Sequence, residues 1–143
     1  MTMKKAKACA LILFIIYLVA VAYCCFGHFS DLPDVGNDTL FGIPMDKVVH
    51  FIMFFPFPLL CHLAFYQRGR KLSGVMFSIL MIFMIGCMIA AGTEIGQSFT
   101  EYRSCDALDF AADCMSLAIS SIITLAIELY MTKRLKNICS KES

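Results

Sequence analysis

The sequence predicts an all-α integral membrane protein, a bundle of four transmembrane helices with both termini cytoplasmic. Three observations carry this expectation. Hydrophobic residues fill 59% of the chain, mean hydropathy is +0.76 and only 16% of residues are charged, a composition that water alone would not keep in solution. Four apolar runs each reach the roughly 20 residues that a hydrocarbon core of about 30 Å requires. Lys and Arg gather in the segments that would share one side of a membrane. The chain reads as a single domain over 1–143, with helices at about 8–27, 47–66, 74–99 and 104–130 and a basic tail over 131–143; almost nothing between the helices could form a soluble domain.

The first run, 8–27, carries no charge and follows Lys4, Lys5 and Lys7. A cleaved signal peptide is the competing reading, because Ala20, Val21 and Ala22 before Tyr23 imitate a cleavage site. The apolar run continues past that point to spanning length, which favours a helix that stays. Residues 28–45 hold Asp31, Asp34, Asp38, Pro33, Gly36 and Pro44 without a Lys or Arg, and read as an exposed loop.

The second span opens with Asp46-Lys47-Val48-Val49-His50-Phe51. Asp46 is placed to cap it, and His50 lies one turn further in. Pro56 and Pro58 remove the amide donors that the carbonyls of Ile52 and Phe54 would use, so the helix should bend below His50. Arg68, Arg70 and Lys71 precede the third span, whose apolarity only Glu94 interrupts. Gly92 and Gly96 near its end, with Ala112, Ser116 and Ser120 in the fourth span, form small-residue stripes that predict close approach of the third and fourth helices.

Orientation follows from the cations. Lys4, Lys5, Lys7, Arg68, Arg70, Lys71, Lys133, Arg134, Lys136 and Lys141 fall on one side, Lys47 and Arg103 on the other; the richer side is expected in the cytoplasm. Counting about 1.5 Å per residue along each helix then brings Asp46, Lys47, His50, Glu94, Gln97, Arg103, Asp106, Asp109 and Asp113 to one outward-facing level. The spacings i, i+3, i+4 and i+7 also place these groups on one face of each helix. This predicts a polar pocket at the outer end. Charged groups near a bilayer core cost about 2.5 to 3.5 kcal/mol each and normally face a bundle interior with partners.

In this layer Asp46, Glu94, Asp106, Asp109 and Asp113 outnumber Lys47, Arg103 and a titratable His50. Three answers are physically available: protonated carboxyls, a bound cation, or a cationic ligand. A divalent cation would take His50, Glu94, Asp109 and Asp113 as candidate ligands, although no strict zinc spacing is present. Helix polarity favours Asp46, Asp106 and Asp109 at the starts of helices and disfavours Glu94 near the end of one, so Glu94 most needs Arg103, His50 or an ion. The same helix starts with Lys47 and Arg103 could hold a phosphate; the surplus carboxylates oppose this unless a metal bridges them.

At these residues the chain resembles the VanZ-like membrane protein family. That pattern, Asp-Lys-x-x-His-Phe followed by Glu-x-x-Gln, an Arg and an Asp before an Asn, is met by Asp46, Lys47, His50, Phe51, Glu94, Gln97, Arg103 and Asp109, over about Ser30 to Ser121. Asp113 stands where the family usually has Asn, and Ser116 where Gly is common. The resemblance implies a role in the bacterial cell envelope, since the founding member is associated with resistance to the glycopeptide teicoplanin. It implies a multi-pass protein of the bacterial cytoplasmic membrane.

Two functional classes follow. In one the pocket binds a membrane lipid or lipid-linked cell-wall precursor, with Glu94, Arg103 and Asp109 holding a polar head. In the other it is an intramembrane hydrolase or transferase of a lipid-linked phosphate, with His50 or Glu94 as general base and Arg103 steadying developing charge. A polar network that merely ties three helices together is the plainer alternative. His62 and the methionines of the third span read as packing, Glu128 as reaching for water or the basic tail, and the cysteines as small apolar residues without a CxxC pair. Basic residues only flank spans, so nucleic acid is not a partner.

Overall fold

The computed structural model describes residues 3–27, 39–40, 42–65, 71–99 and 106–141. The chain is all-α apart from one small hairpin: α1 (Met3–Phe26), β1 (Thr39–Leu40), β2 (Ile43–Pro44), α2 (Met45–Phe54), α3 (Phe57–Ala64), α4 (Leu72–Gln97) and α5 (Ala107–Lys141). Four helical stretches are long and apolar enough to cross a membrane: Lys4–Phe26, Met45–Ala64, Leu72–Gln97 and Ala107–Arg134. Their outward faces stay apolar, with Ile12, Ile16, Phe77, Met88 and Ile122 all exposed. α5 continues through the basic segment, well beyond the expected end near Tyr130.

The predicted bend coincides with an interruption between α2 and α3, across which Phe55 and Pro56 keep right-handed helical dihedrals. Pro56 ends α2 by withholding the amide that Ile52 would bind, and Pro58 sits in the first turn of α3, where a missing N–H costs nothing. Apolar surroundings cannot leave carbonyls bare. Neighbouring helices bond to carbonyls beside the two that the prolines free: the Tyr17 hydroxyl on α1 donates to the Met53 carbonyl at 2.7 Å, and the Ser116 hydroxyl on α5 donates to the Phe51 carbonyl, which also accepts the Phe55 amide. The loop read at 28–45 contains the hairpin, which pairs Thr39 with Pro44 and Leu40 with Ile43 around Gly42 in a left-handed conformation at φ 81°.

In the most apolar 18-residue stretch of the second and of the fourth span 39% is buried, against 17% and 22% in the first and third, so α2, α3 and α5 form the inner part of the bundle. α5 packs against α2, α3 and α4, while α1 lies against α3 and α4. Helical periodicity sets the inward faces. On α2 and α3 these are His50, Phe54, Phe57, Cys61 and Ala64; on α4, Ile79, Ile82, Gly86, Ala90 and Glu94; on α5, Asp109, Asp113, Leu117, Ser120 and Thr124. Each face is apolar or small along its length and becomes ionisable at one end. The three ionisable ends coincide.

The expected close approach through Gly92 and Gly96 is not how α4 meets α5. Gly92 is exposed with open space around it, and Gly96 faces Phe26 of α1. α4 and α5 instead meet at Gly86, where an added Cβ would lie 2.7 Å from Leu117 Cδ2 and 3.2 Å from Phe57 Cδ1. Leu117 is fully buried and cannot swing aside. Gly86→Ala should therefore lower stability by about 1 to 3 kcal/mol, measured as unfolding of the purified protein in detergent. Gly96→Ala meets Phe26, which is 50% exposed and free to move, and should be neutral or gain up to about 1 kcal/mol in helix propensity.

Candidate functional site

α2 and α5 begin where α4 ends, and their first turns carry Asp46 and Asp109. Asp46 does not cap α2, as the sequence suggested. Pro44 holds the cap position, and Asp46 Oδ1 instead accepts the Lys47 amide at 2.9 Å. The residue that caps is Asp106: its Oδ1 accepts the Leu108 amide at 2.9 Å, fixing the start of α5 just past the expected Ser104.

Two connected groups form the site. At its mouth Lys47 Nζ donates to Asp106 Oδ2 and Asp109 Oδ1, both at 2.6 Å, and to Asp46 Oδ2 at 3.1 Å. The lysine side chain is only 13% exposed, so its stem lies in the bundle and its ammonium gathers three carboxylates. Beneath it lies His50, 3% exposed, whose Nδ1 is 3.2 and 3.3 Å from the two oxygens of fully buried Asp113. His50 Nδ1 is also 3.8 Å from Glu94 Oε1, and Nε2 is 3.9 Å from Asp109 Oδ2. Glu94 Oε2 accepts the Asp106 amide at 3.2 Å. That bond answers part of the need created by Glu94's position at the negative end of α4.

Lys47 and the Leu108 amide hold the Asp106 carboxyl below the ordinary aspartate value. A carboxyl depressed in the fold stabilises it above the unfolded value, near 3.8, and loses that contribution as pH falls through the folded value. Asp106→Asn keeps a capping oxygen and removes the charge. On acidification below about pH 4 this variant should lose less stability than the unmutated chain, read as unfolding midpoint against pH.

Of the residues expected in the pocket, Asp46, Lys47, His50, Glu94, Asp106, Asp109 and Asp113 are joined by these contacts. Gln97 is buried beside them and turns its amide nitrogen to the Cys25 carbonyl of α1 at 3.1 Å, tying α4 to α1. Arg103 lies outside the described residues. Among the described residues, two groups have donor atoms all within 4.8 Å of one another: His50 with Glu94 and Asp109, and Asp46 with Asp106 and Asp109. Lys47 already occupies the second set. Asp113, a candidate ligand by sequence, bonds to the imidazole instead.

A cavity of about 600 Å³ lies at the opposite end, where α3 stops and α4 starts, bordered by Cys61, His62, Phe65, Ile82 and Glu128. Its lining is mostly apolar. There His62 Nε2 and Glu128 Oε2 are 3.5 Å apart, so Glu128 meets a neighbouring helix as well as water. The described cysteines are free thiols, with Cys114 and Cys87 in contact across α5 and α4 at 3.7 Å.

Fold and site together define a helical protein with four helices of membrane-crossing length and a buried cluster of carboxyls and one imidazole at one end of the bundle. The chain belongs to the family of the uncharacterized protein C11E3.10 of Schizosaccharomyces pombe. It is 30% identical to that protein over 128 residues, covering 90% of this chain and 68% of the relative. No family profile matches the chain and no solved structure matches it. The relative's name assigns it no activity, so the likeness supplies kinship without function.

Proposed function

We propose that this is a VanZ-like, multi-pass membrane protein that binds the polar headgroup of a membrane lipid in the cluster around His50 and Glu94. The observation that carries the reading is the burial of His50, Glu94, Asp109 and Asp113, from three separate helices, at the shared end of their inward faces. Exposed apolar faces on all four spans support insertion in a bilayer. The distribution of Lys and Arg supports cytoplasmic termini and a cluster opening on the far side. The motif residues Asp46, Lys47, His50, Glu94 and Asp109 lie together around Lys47 and His50, which supports the family resemblance. Because the relative is fungal, the ligand is named as a membrane-lipid headgroup. A lipid-linked cell-wall precursor in the bacterial cytoplasmic membrane, with glycopeptide resistance, is the narrower form of the same reading.

One contact favours hydrolysis or transfer on a lipid-linked phosphate as the second reading. Asp113 grips His50 through Nδ1, which fixes the ring as a carboxylate does for a general base. Purified protein in lipid nanodiscs of mixed composition tests both. Headgroup selectivity in the unmutated chain, lost in folded Glu94→Gln and His50→Ala variants, supports binding; selectivity that is absent or indifferent to both variants leaves only a polar tie between helices. Phosphate release from lipid-linked phosphates by the unmutated chain alone would establish the catalytic form.

A further inference from the structure

Glu94 is 3% exposed, yet among the described residues its Oε1 has no hydrogen-bond partner, and it sits inside the cluster, 3.8 Å from the imidazole of His50. A buried, unsatisfied carboxylate oxygen costs about 1 to 3 kcal/mol or more, and packing gives no reason to keep it. The surroundings show a pattern around it. In each of three residues one atom is tied by a neighbour and the other is turned into the cluster. The Asp106 amide holds Glu94 Oε2, leaving Oε1. Lys47 holds Asp109 Oδ1, and Asp113 holds His50 Nδ1; Asp109 Oδ2 then lies 3.9 Å from His50 Nε2, while Glu94 Oε1 lies 3.8 Å from the Nδ1 that Asp113 holds.

We propose that His50, Glu94 and Asp109 form a binding site for one divalent transition-metal ion, zinc or manganese. One donor atom from each residue lies within 4.8 Å of the other two. Bonds of about 2.0 to 2.2 Å to nitrogen and oxygen require donors about 3 to 3.5 Å apart, so the three side chains close by about 1 Å around the ion. The imidazole with two carboxylates suits zinc, and the carboxylates suit manganese as well. Asp113 supplies the outer carboxylate that orients a metal-bound imidazole. Lys47 brings one positive charge to the three carboxylates around it, so negative charge remains in the cluster for a divalent ion to offset. The adjoining set of Asp46, Asp106 and Asp109 takes no ion, because the Lys47 ammonium fills its centre. His50 and Glu94 belong to the proposed headgroup cluster as well, but coordination of the ion does not rest on a headgroup being bound.

Full-length protein, purified in detergent and stripped with a chelator, tests the proposal by equilibration with manganese or zinc followed by elemental analysis and calorimetry. The expected result is one ion per chain, with affinity at least about tenfold weaker in Glu94→Gln and Asp109→Asn and unchanged in His62→Ala. Manganese, which thiols hold poorly, separates this site from binding at cysteines. Because a variant could fail to fold, the unmutated chain carries a second readout: bound manganese should show the electron-spin-echo nitrogen modulation of a coordinated imidazole. Absence of stoichiometric binding of either ion, an ion retained unchanged in both folded variants, or bound manganese without imidazole nitrogen would overturn the site.

Discussion

Lys47→Met is expected to lower unfolding free energy by about 3 kcal/mol, among the largest losses of any single substitution in the chain. Methionine preserves the stem and its packing, so the change isolates the ammonium. That ammonium lies 2.6 Å from two carboxylates and 3.1 Å from a third. Without it Asp46, Asp106 and Asp109 face one another with no cation among the described residues to replace it. Breaking a buried pair costs about 3 to 5 kcal/mol. Asp46 and Asp106 are 40% exposed and water can relieve them, which places the expectation at the low end; Asp109, 12% exposed, has less relief. Unfolding in detergent near neutral pH measures it. A loss below about 1 kcal/mol would rank these contacts with ordinary surface pairs.

His50→Ala should cost a similar amount, about 3 kcal/mol, for a different reason. It leaves Asp113, fully buried, without the ring that contacts both its oxygens, and it opens a cavity where the imidazole stood. Asp113→Asn should cost under about 1 kcal/mol, because an amide of the same shape still offers an oxygen to Nδ1. Combining the two changes should recover at least about 1 kcal/mol of the His50→Ala loss, since the orphaned group is then neutral. The double-mutant cycle reads this coupling directly. Strict additivity would mean that the pair contributes nothing as a pair.

Much of this arrangement is legible in the sequence, and the reasons are local. Span length and the scarcity of charge mark four helices, and an ionisable residue in an apolar run marks its own inward face, which is why Asp46, His50, Glu94, Asp109 and Asp113 could be brought to one level by counting rise per residue. Where a helix is apolar all round, no such mark exists. α4 therefore gave no sign that Gly86, rather than Gly92 and Gly96, meets α5, because both faces carry small residues and only packing against Leu117 decides between them. Cross-helix bonds are equally silent. Nothing local announces that Tyr17 serves the Met53 carbonyl or that Gln97 reaches Cys25. The start of α5 was misplaced because Ser104 and Asp106 are both good caps, and the Asp106 amide is drawn to Glu94 on another helix.

A network built only to join helices would use every polar atom it buries. Here the His50 and Asp113 pair and the Lys47 contacts do join helices, while Glu94 Oε1 is left over among the described residues. The most direct measurement is the unfolding midpoint of ligand-free, metal-stripped Glu94→Gln beside that of the unmutated chain, paired with headgroup selectivity for each. The account predicts that the variant is at least as stable, since a neutral amide replaces an incompletely satisfied buried carboxylate, and that it has lost selectivity. A fall in stability as large as that of His50→Ala, with selectivity intact, would show that Glu94 holds the bundle together and that the cluster binds nothing through it.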